Sequence, residues 1–183
     1  MSMMKSLFLG IITTLLLMFG VGYFLPNQYN ISHKMVVPCE IAQTFEQVNT
    51  LQNWENWAFD SLQTHAGIYY LGANFGEGAI YTWKTQDAEG RVEIMESINE
   101  KKIRLESSLN QKELVAQFEF LFKSLNQAKS GTEIEWIQKG ELNSIQMKYL
   151  LFFGILEGII EQDMSEKMHA LEKYCNQEIS NKN

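Results

Sequence analysis

Proline is almost missing from this 183-residue chain, which has two in all, Pro26 and Pro38. Long elements can therefore run without a breaking residue inside them, and each proline marks a boundary. Histidine and cysteine are scarce too, three and two residues with no spaced set of four ligands, and this excludes a structural zinc site. Lys and Arg form no cluster, and the net charge is −7. Phosphate binding needs a basic patch, so a nucleic-acid partner is disfavoured and none is expected. No Gly-x-Ser-x-Gly turn is present to carry a hydrolase nucleophile. The stretch Gly72-Ala73-Asn74-Phe75-Gly76-Glu77-Gly78 lacks the lysine and the following helix of a phosphate loop, and reads as a bend between strands. Internal repeats and low-complexity tracts are absent, and no cofactor is implied.

Charge is missing from one long stretch. No formally charged side chain lies between Lys5 and Lys34, and in 6–25, which opens at Ser6 and closes at Leu25, the only polar residues are Ser6, Thr13 and Thr14. A helix needs about 20 such residues to cross the hydrocarbon core of a bilayer. Tyr23 and Phe24 fall where an interfacial aromatic belt lies, and Pro26 stops the helix. A cleaved signal peptide would have a shorter apolar run and a small-x-small site, of which Gly20-Val21-Gly22 is a poor version. The expectation is a membrane anchor over 1–25, a linker over 26–30, a folded domain over 31–176 and a polar tail over 177–183. With Lys5 and the amino terminus in the cytoplasm, the protein is single-pass and its domain extracytoplasmic, periplasmic or extracellular. That compartment permits a disulfide between Cys39 and Cys175. Whether they meet depends on the fold.

In the body, 31–37 alternates as a strand that Pro38 ends, and Ile41, Phe45 and Val48 repeat at helical spacing, so 40–48 reads as a helix. A second short helix is expected over 53–57 with Asn53 as its cap. Strands follow over 67–71, 79–85, 91–98, 102–109, 114–123 and 132–140. Their separators, among them Asp87-Ala88-Glu89-Gly90 and Asn110-Gln111-Lys112, have hairpin length, so neighbours are antiparallel. The strands are one-sided: Ala116, Phe118, Phe120 and Phe122 alternate with Val115, Gln117, Glu119 and Leu121. A cover for the apolar face comes from a long helix over 145–174, opened by a capping box of Asn143 and Gln146. Met164, Met168, Leu171 and Cys175 form its stripe; 149–160 is apolar nearly all round and is expected to be buried against the sheet.

One strand, two small helices, six antiparallel strands and a long C-terminal helix resemble the START-like (SRPBCC) superfamily. Within it the chain looks like the polyketide cyclase/dehydrase and lipid-transport group, on Val36-Val37-Pro38, Trp54-Glu55-Asn56-Trp57, Gly76-Glu77-Gly78-Ala79 and Tyr81-Thr82-Trp83. The resemblance covers 31–174. It departs where Ala58-Phe59-Asp60 replaces the proline that often follows the Trp-x-x-Trp pair, which leaves the first cavity lip undefined. It implies an α+β helix-grip fold, an antiparallel sheet of about seven strands wrapped around the C-terminal helix and enclosing a cavity. A hydrophobic small molecule or lipid is the implied partner, and a protein partner is left unknown.

Trp54, Trp57, Tyr81, Trp83 and Ile94 are expected on the cavity wall, with Phe118, Phe120 and Trp136 beside them and Phe152 and Leu156 from the helix. Tyr81 is the candidate polar contact, because a buried phenol needs a partner. Glu96 shares the phase of Val92, Ile94 and Ile98, and if it points inward desolvation makes it a candidate acid. His33 is expected at the surface. Gly154 and Gly158, four apart, either let the helix approach the sheet or leave room for a ligand. A ligand-binding protein is the leading reading. A cyclase or dehydratase using Glu96 or Tyr81, and a protein-binding scaffold with a filled cavity, are the alternatives.

Overall fold

The computed structural model describes residues 2–59, 67–86, 88–110, 114–125 and 131–181. Asp60, Asp87, Gln111, Lys112, the face of Val115 and the last two residues of the expected tail lie outside the described residues. Helix α1 (Ser2–Phe24) leads into β1 (Gln28–Val37), α2 (Ile41–Asn49) and a 3₁₀ helix (Leu51–Asn56). Six strands follow: β2 (Gly67–Gly72), β3 (Ala79–Lys84), β4 (Glu89–Ile98), β5 (Lys102–Leu109), β6 (Leu114–Ser124) and β7 (Thr132–Glu141). The chain closes with α3 (Ile145–Phe152) and α4 (Ile155–Asn181).

Period-two patterning places the sheet. Ala79, Tyr81 and Trp83 of β3 and Thr132, Ile134 and Trp136 of β7 are buried, while the residues between them are at least partly exposed. All seven strands pair antiparallel in the order β1-β7-β6-β5-β4-β3-β2. β1 begins three residues earlier than its sequence pattern suggests, because Tyr29 is buried in register with Gly140. Where a Cβ would stand on Gly140, the Tyr29 ring already lies.

The cover is α4, whose Met164, Met168, Leu171 and Cys175 are all fully buried. Burial of a side chain of the Met or Leu type stabilises the fold by about 1.5–3 kcal/mol. α4 runs on to Asn181, into the stretch expected as a polar tail, so Cys175 lies inside the helix. It is bonded to Cys39, just past β1, with 5.3 Å between the Cα atoms. Buried Thr132 donates to the Cys39 carbonyl at 2.9 Å and fixes this end of the sheet.

Three helix boundaries differ from the sequence pattern. Ser144, not Asn143, caps α3, its hydroxyl accepting from the Met147 N–H at 3.2 Å. The short helix after α2 starts at Leu51, and Asn53 inside it donates its side-chain amide to the Glu46 carbonyl at 3.3 Å instead of capping. The long C-terminal helix is two helices, broken at Gly154, which has φ +72°, a conformation that glycine adopts without a Cβ penalty. Nothing lies within 4 Å of a Cβ placed on Gly154 or Gly158, so neither glycine serves a close approach to the sheet.

α1 is a helix long and apolar enough to cross a membrane over Lys5–Phe24. Its last turn packs on α3.

Candidate functional site

The apolar faces of the 3₁₀ helix, β3, β6 and β7 meet in one group of rings. Trp54 stands 5.4 Å from Trp57, 5.9 Å from Tyr81 and 6.4 Å from Phe120, centroid to centroid. Trp136 stands 4.9 Å from Phe120 and 6.0 Å from Phe118. Edge-to-face and tilted contacts of this kind add to the burial of each ring.

The hydrogen bonds of these rings are not alike. Trp54 Nε1 donates to the Val48 carbonyl at 3.0 Å and Trp57 Nε1 to the Gln47 carbonyl at 3.2 Å, which seats the 3₁₀ helix on α2. Trp136 is 5% exposed, and among the described residues nothing accepts from its Nε1. A buried donor left unpaired costs about 1–3 kcal/mol.

Beside Trp136 a cavity of about 180 Å³ opens between sheet and α4. Trp54, Tyr81, Trp83, Phe118 and Trp136 form its aromatic wall, joined by Ala58, Val92 and Leu109. Ser107, Ser108 and Gln138 make its polar side on the sheet, with Asp163 and Lys167 from α4. Lys167 donates to Asp163 at 2.9 Å, and Gln138 Nε2 donates to the Tyr29 hydroxyl at 3.3 Å. Among the described residues no group of three or more His, Cys, Asp or Glu could hold a metal.

Five of the expected wall residues thus come together on the cavity. Trp57, Ile94, Phe120 and Leu156 are buried, at 7% exposure or less, but belong to the packed core around it. Phe152 does neither: it is 58% exposed at the end of α3, beside buried Leu151 and just before the break at Gly154.

Glu96 is not an inward acid. The pairing of β4 with β5 shifts between Ile94 and Glu96, so Met95 is an extra residue that reverses the phase. Glu96 then stands opposite Arg104, and Ser97 takes the inward phase opposite fully buried Ile103. Lys102 donates to the Glu96 carboxylate at 2.8 Å and Arg104 Nε lies 3.5 Å away. The hydrogen bond from Lys102 is the main reason that its carboxyl is held below the ordinary value. His33, facing Trp136 across the β1–β7 pair, is half-buried rather than on the surface.

Ser107, Gln138, Asp163 and Lys167 were not legible as site residues. For Ser107 the register was the available signal, since it lies between Val92 and Ala116 on the inward face.

No protein-family model matches the chain, and no curated relative does. Solved structures do. The chain is similar to protein MLL2253 from Mesorhizobium loti, with a TM-score of 0.59 at 11% identity over 81% of this chain and 98% of that one. It is similar to Ara h 8.0201, with a TM-score of 0.56 at 12% identity over 82% of this chain and 99% of the other. A third is DynU16, a protein in the dynemicin biosynthetic locus, at 0.56 and 10% identity over 80% of this chain. The chain spans about half the length of DynU16, 47% of it. These likenesses establish the fold, which is the helix-grip architecture implied by the START-like resemblance.

Proposed function

We propose that this chain is a membrane-tethered binding protein for an apolar or amphipathic small molecule, seated between the sheet and α4 and offering a hydrogen-bond acceptor to Trp136 Nε1. The observation that carries the reading is an indole N–H with no partner among the described residues, on the wall of an aromatic cavity. A carbonyl, hydroxyl or carboxylate oxygen of the ligand satisfies that donor, and ring surfaces supply affinity at about 25 cal/mol per Å² buried. At about 180 Å³ the cavity exceeds the roughly 150 Å³ that holds one benzene ring, so it takes a ring or chain end. DynU16, of like fold, belongs to a biosynthetic locus, which fits a small organic ligand.

The domain faces out of the cytoplasm in this reading. The apolar α1 and the Cys39–Cys175 disulfide support it, since disulfides persist in oxidising compartments. A cyclase mechanism loses Glu96 and keeps Tyr81 as its one expected group on the cavity.

The test is native mass spectrometry of the full chain, purified in detergent from its own host. A stoichiometric small molecule is expected, and Trp136→Phe, which keeps the ring and loses the donor, lowers its affinity about tenfold. A clean apo mass that persists after incubation with the host's lipid extract overturns the reading and favours a protein-binding scaffold.

A further inference from the structure

The corner between α3 and α4 is apolar and uncovered. Phe152, Phe153, Ile155 and Ile159 are 58%, 67%, 50% and 58% exposed. Contiguous apolar patches are uncommon on monomeric soluble domains and mark a surface that something covers.

The position of α1 identifies the cover. Gly22, in the last turn of α1, lies so near α3 that a Cβ on it would stand 2.6 Å from Ile145 Cγ2 and 3.0 Å from Tyr149 Cε2. As a 23-residue helix α1 is about 34 Å long, enough to cross a bilayer, so its last turn is where the chain leaves the membrane. α3 is held at that level with it. Tyr23 and Phe24, 75% and 86% exposed, share the level, and Tyr149 stacks on Phe153 with ring centroids 6.3 Å apart. Aromatic rings concentrate at the headgroup boundary of a membrane.

We infer that this corner is a membrane-docking surface: Phe152, Phe153, Ile155 and Ile159 enter the headgroup and acyl boundary of the bilayer that α1 spans. The inference rests on the membrane anchor of the function proposed above and adds a second contact to it. Two contacts fix the orientation of the domain, where a tether alone would let it swing. Apolar residues that could not be buried against the sheet thereby acquire an apolar neighbour. Asp163 and Lys167 of the cavity follow Ile159 by four and eight residues of α4, so docking holds the cavity within about 12 Å of the bilayer-facing corner along the helix axis.

The full chain, with its disulfide intact, is reconstituted in phosphatidylcholine and phosphatidylglycerol vesicles carrying nitroxide lipids, and one cysteine per variant receives an environment-sensitive dye. Phe153→Cys and Ile159→Cys report the corner, Leu16→Cys the middle of α1, and Tyr69→Cys, 64% exposed, the edge strand β2 at the opposite end of the sheet order from β1. Shallow nitroxides are expected to quench positions 153 and 159 several-fold more than 69, and deep nitroxides to quench 16. Quenching at 16 with none at 153 and 159 overturns the docking surface and leaves the anchor standing. No quenching at 16 removes the anchor and the docking surface together. Blue-shifted, unquenched emission at 153 that disappears on dilution into empty vesicles assigns the corner to a second copy of this chain and also overturns the inference.

Discussion

Trp54 and Trp136 carry the same side chain into the same cluster, 6% and 5% exposed, and differ in one hydrogen bond. Trp54→Phe leaves the Val48 carbonyl without the donor it now has, whereas Trp136→Phe leaves no protein group newly unpaired. Both changes remove similar ring area. The expected result is that Trp54→Phe costs more stability by about 1–2 kcal/mol in urea unfolding of the full chain in micelles. Equal losses would mean that the Trp136 N–H is satisfied in solution, and the argument for a ligand acceptor would go with it. Glu96 is the opposite case, a carboxylate at the surface between Lys102 and Arg104. Its pKa is depressed by the Lys102 hydrogen bond, so its contribution to stability is present above its ordinary value of 4.5 and is lost as pH falls through the lowered one. Glu96→Gln should therefore melt with the parent protein in acid and slightly below it at neutral pH, with ligand retention unchanged. A loss of retention would return this residue to the site.

At the scale of elements, the sheet was legible because alternation and turn chemistry are local signals: 31–37, 114–123 and 132–140 showed period two, and polar or glycine-rich separators marked off the other strands. The phase of β4 beyond Ile94 was not, since one inserted residue, Met95, moves every later side chain to the other face and leaves no mark in composition. The run 149–160 was legible as apolar, but not that Leu151 and Leu156 are buried while Phe152, Phe153, Ile155 and Ile159 are exposed, because a run apolar on every side carries no periodicity that separates its faces. The polar side of the cavity escaped altogether: Ser107 and Gln138 lie on different strands and Lys167 on α4, and only cross-strand register brings them together. The cysteines were visible, but their contact depended on how far α4 reaches back along β1. Closing 136 residues of sequence, this bond restricts the unfolded chain strongly. Replacing both Cys39 and Cys175 by Ala is expected to lower unfolding stability by about 3–5 kcal/mol. The measurement is urea unfolding of the two proteins under non-reducing conditions, and a loss below about 1 kcal/mol would mean that the bond stores little of the fold's stability.

At the scale of the whole molecule, the proposed anchor, the proposed docking corner and the disulfide bear together on where the domain sits. The body beyond Lys5, with a net charge of −8 and no basic cluster, feels little electrostatic pull toward an anionic leaflet, so in the proposed arrangement α1 and the apolar contacts hold the domain to the bilayer. The bond between Cys39 and Cys175 fits the extracytoplasmic side proposed above, because a reducing cytoplasm would keep both thiols free. In right-side-out membranes from the host, protease added outside should remove the domain and leave a fragment the size of α1. In whole cells quenched with acid, neither cysteine should react with a thiol-specific polymer until a reductant is added. The two readouts are independent, one reporting access and the other redox state, and an extracytoplasmic domain requires both. Protection from protease together with free thiols would place the domain in the cytoplasm, where the stabilisation by the disulfide would be absent and the fold would rest on the Met164, Met168 and Leu171 stripe against the sheet.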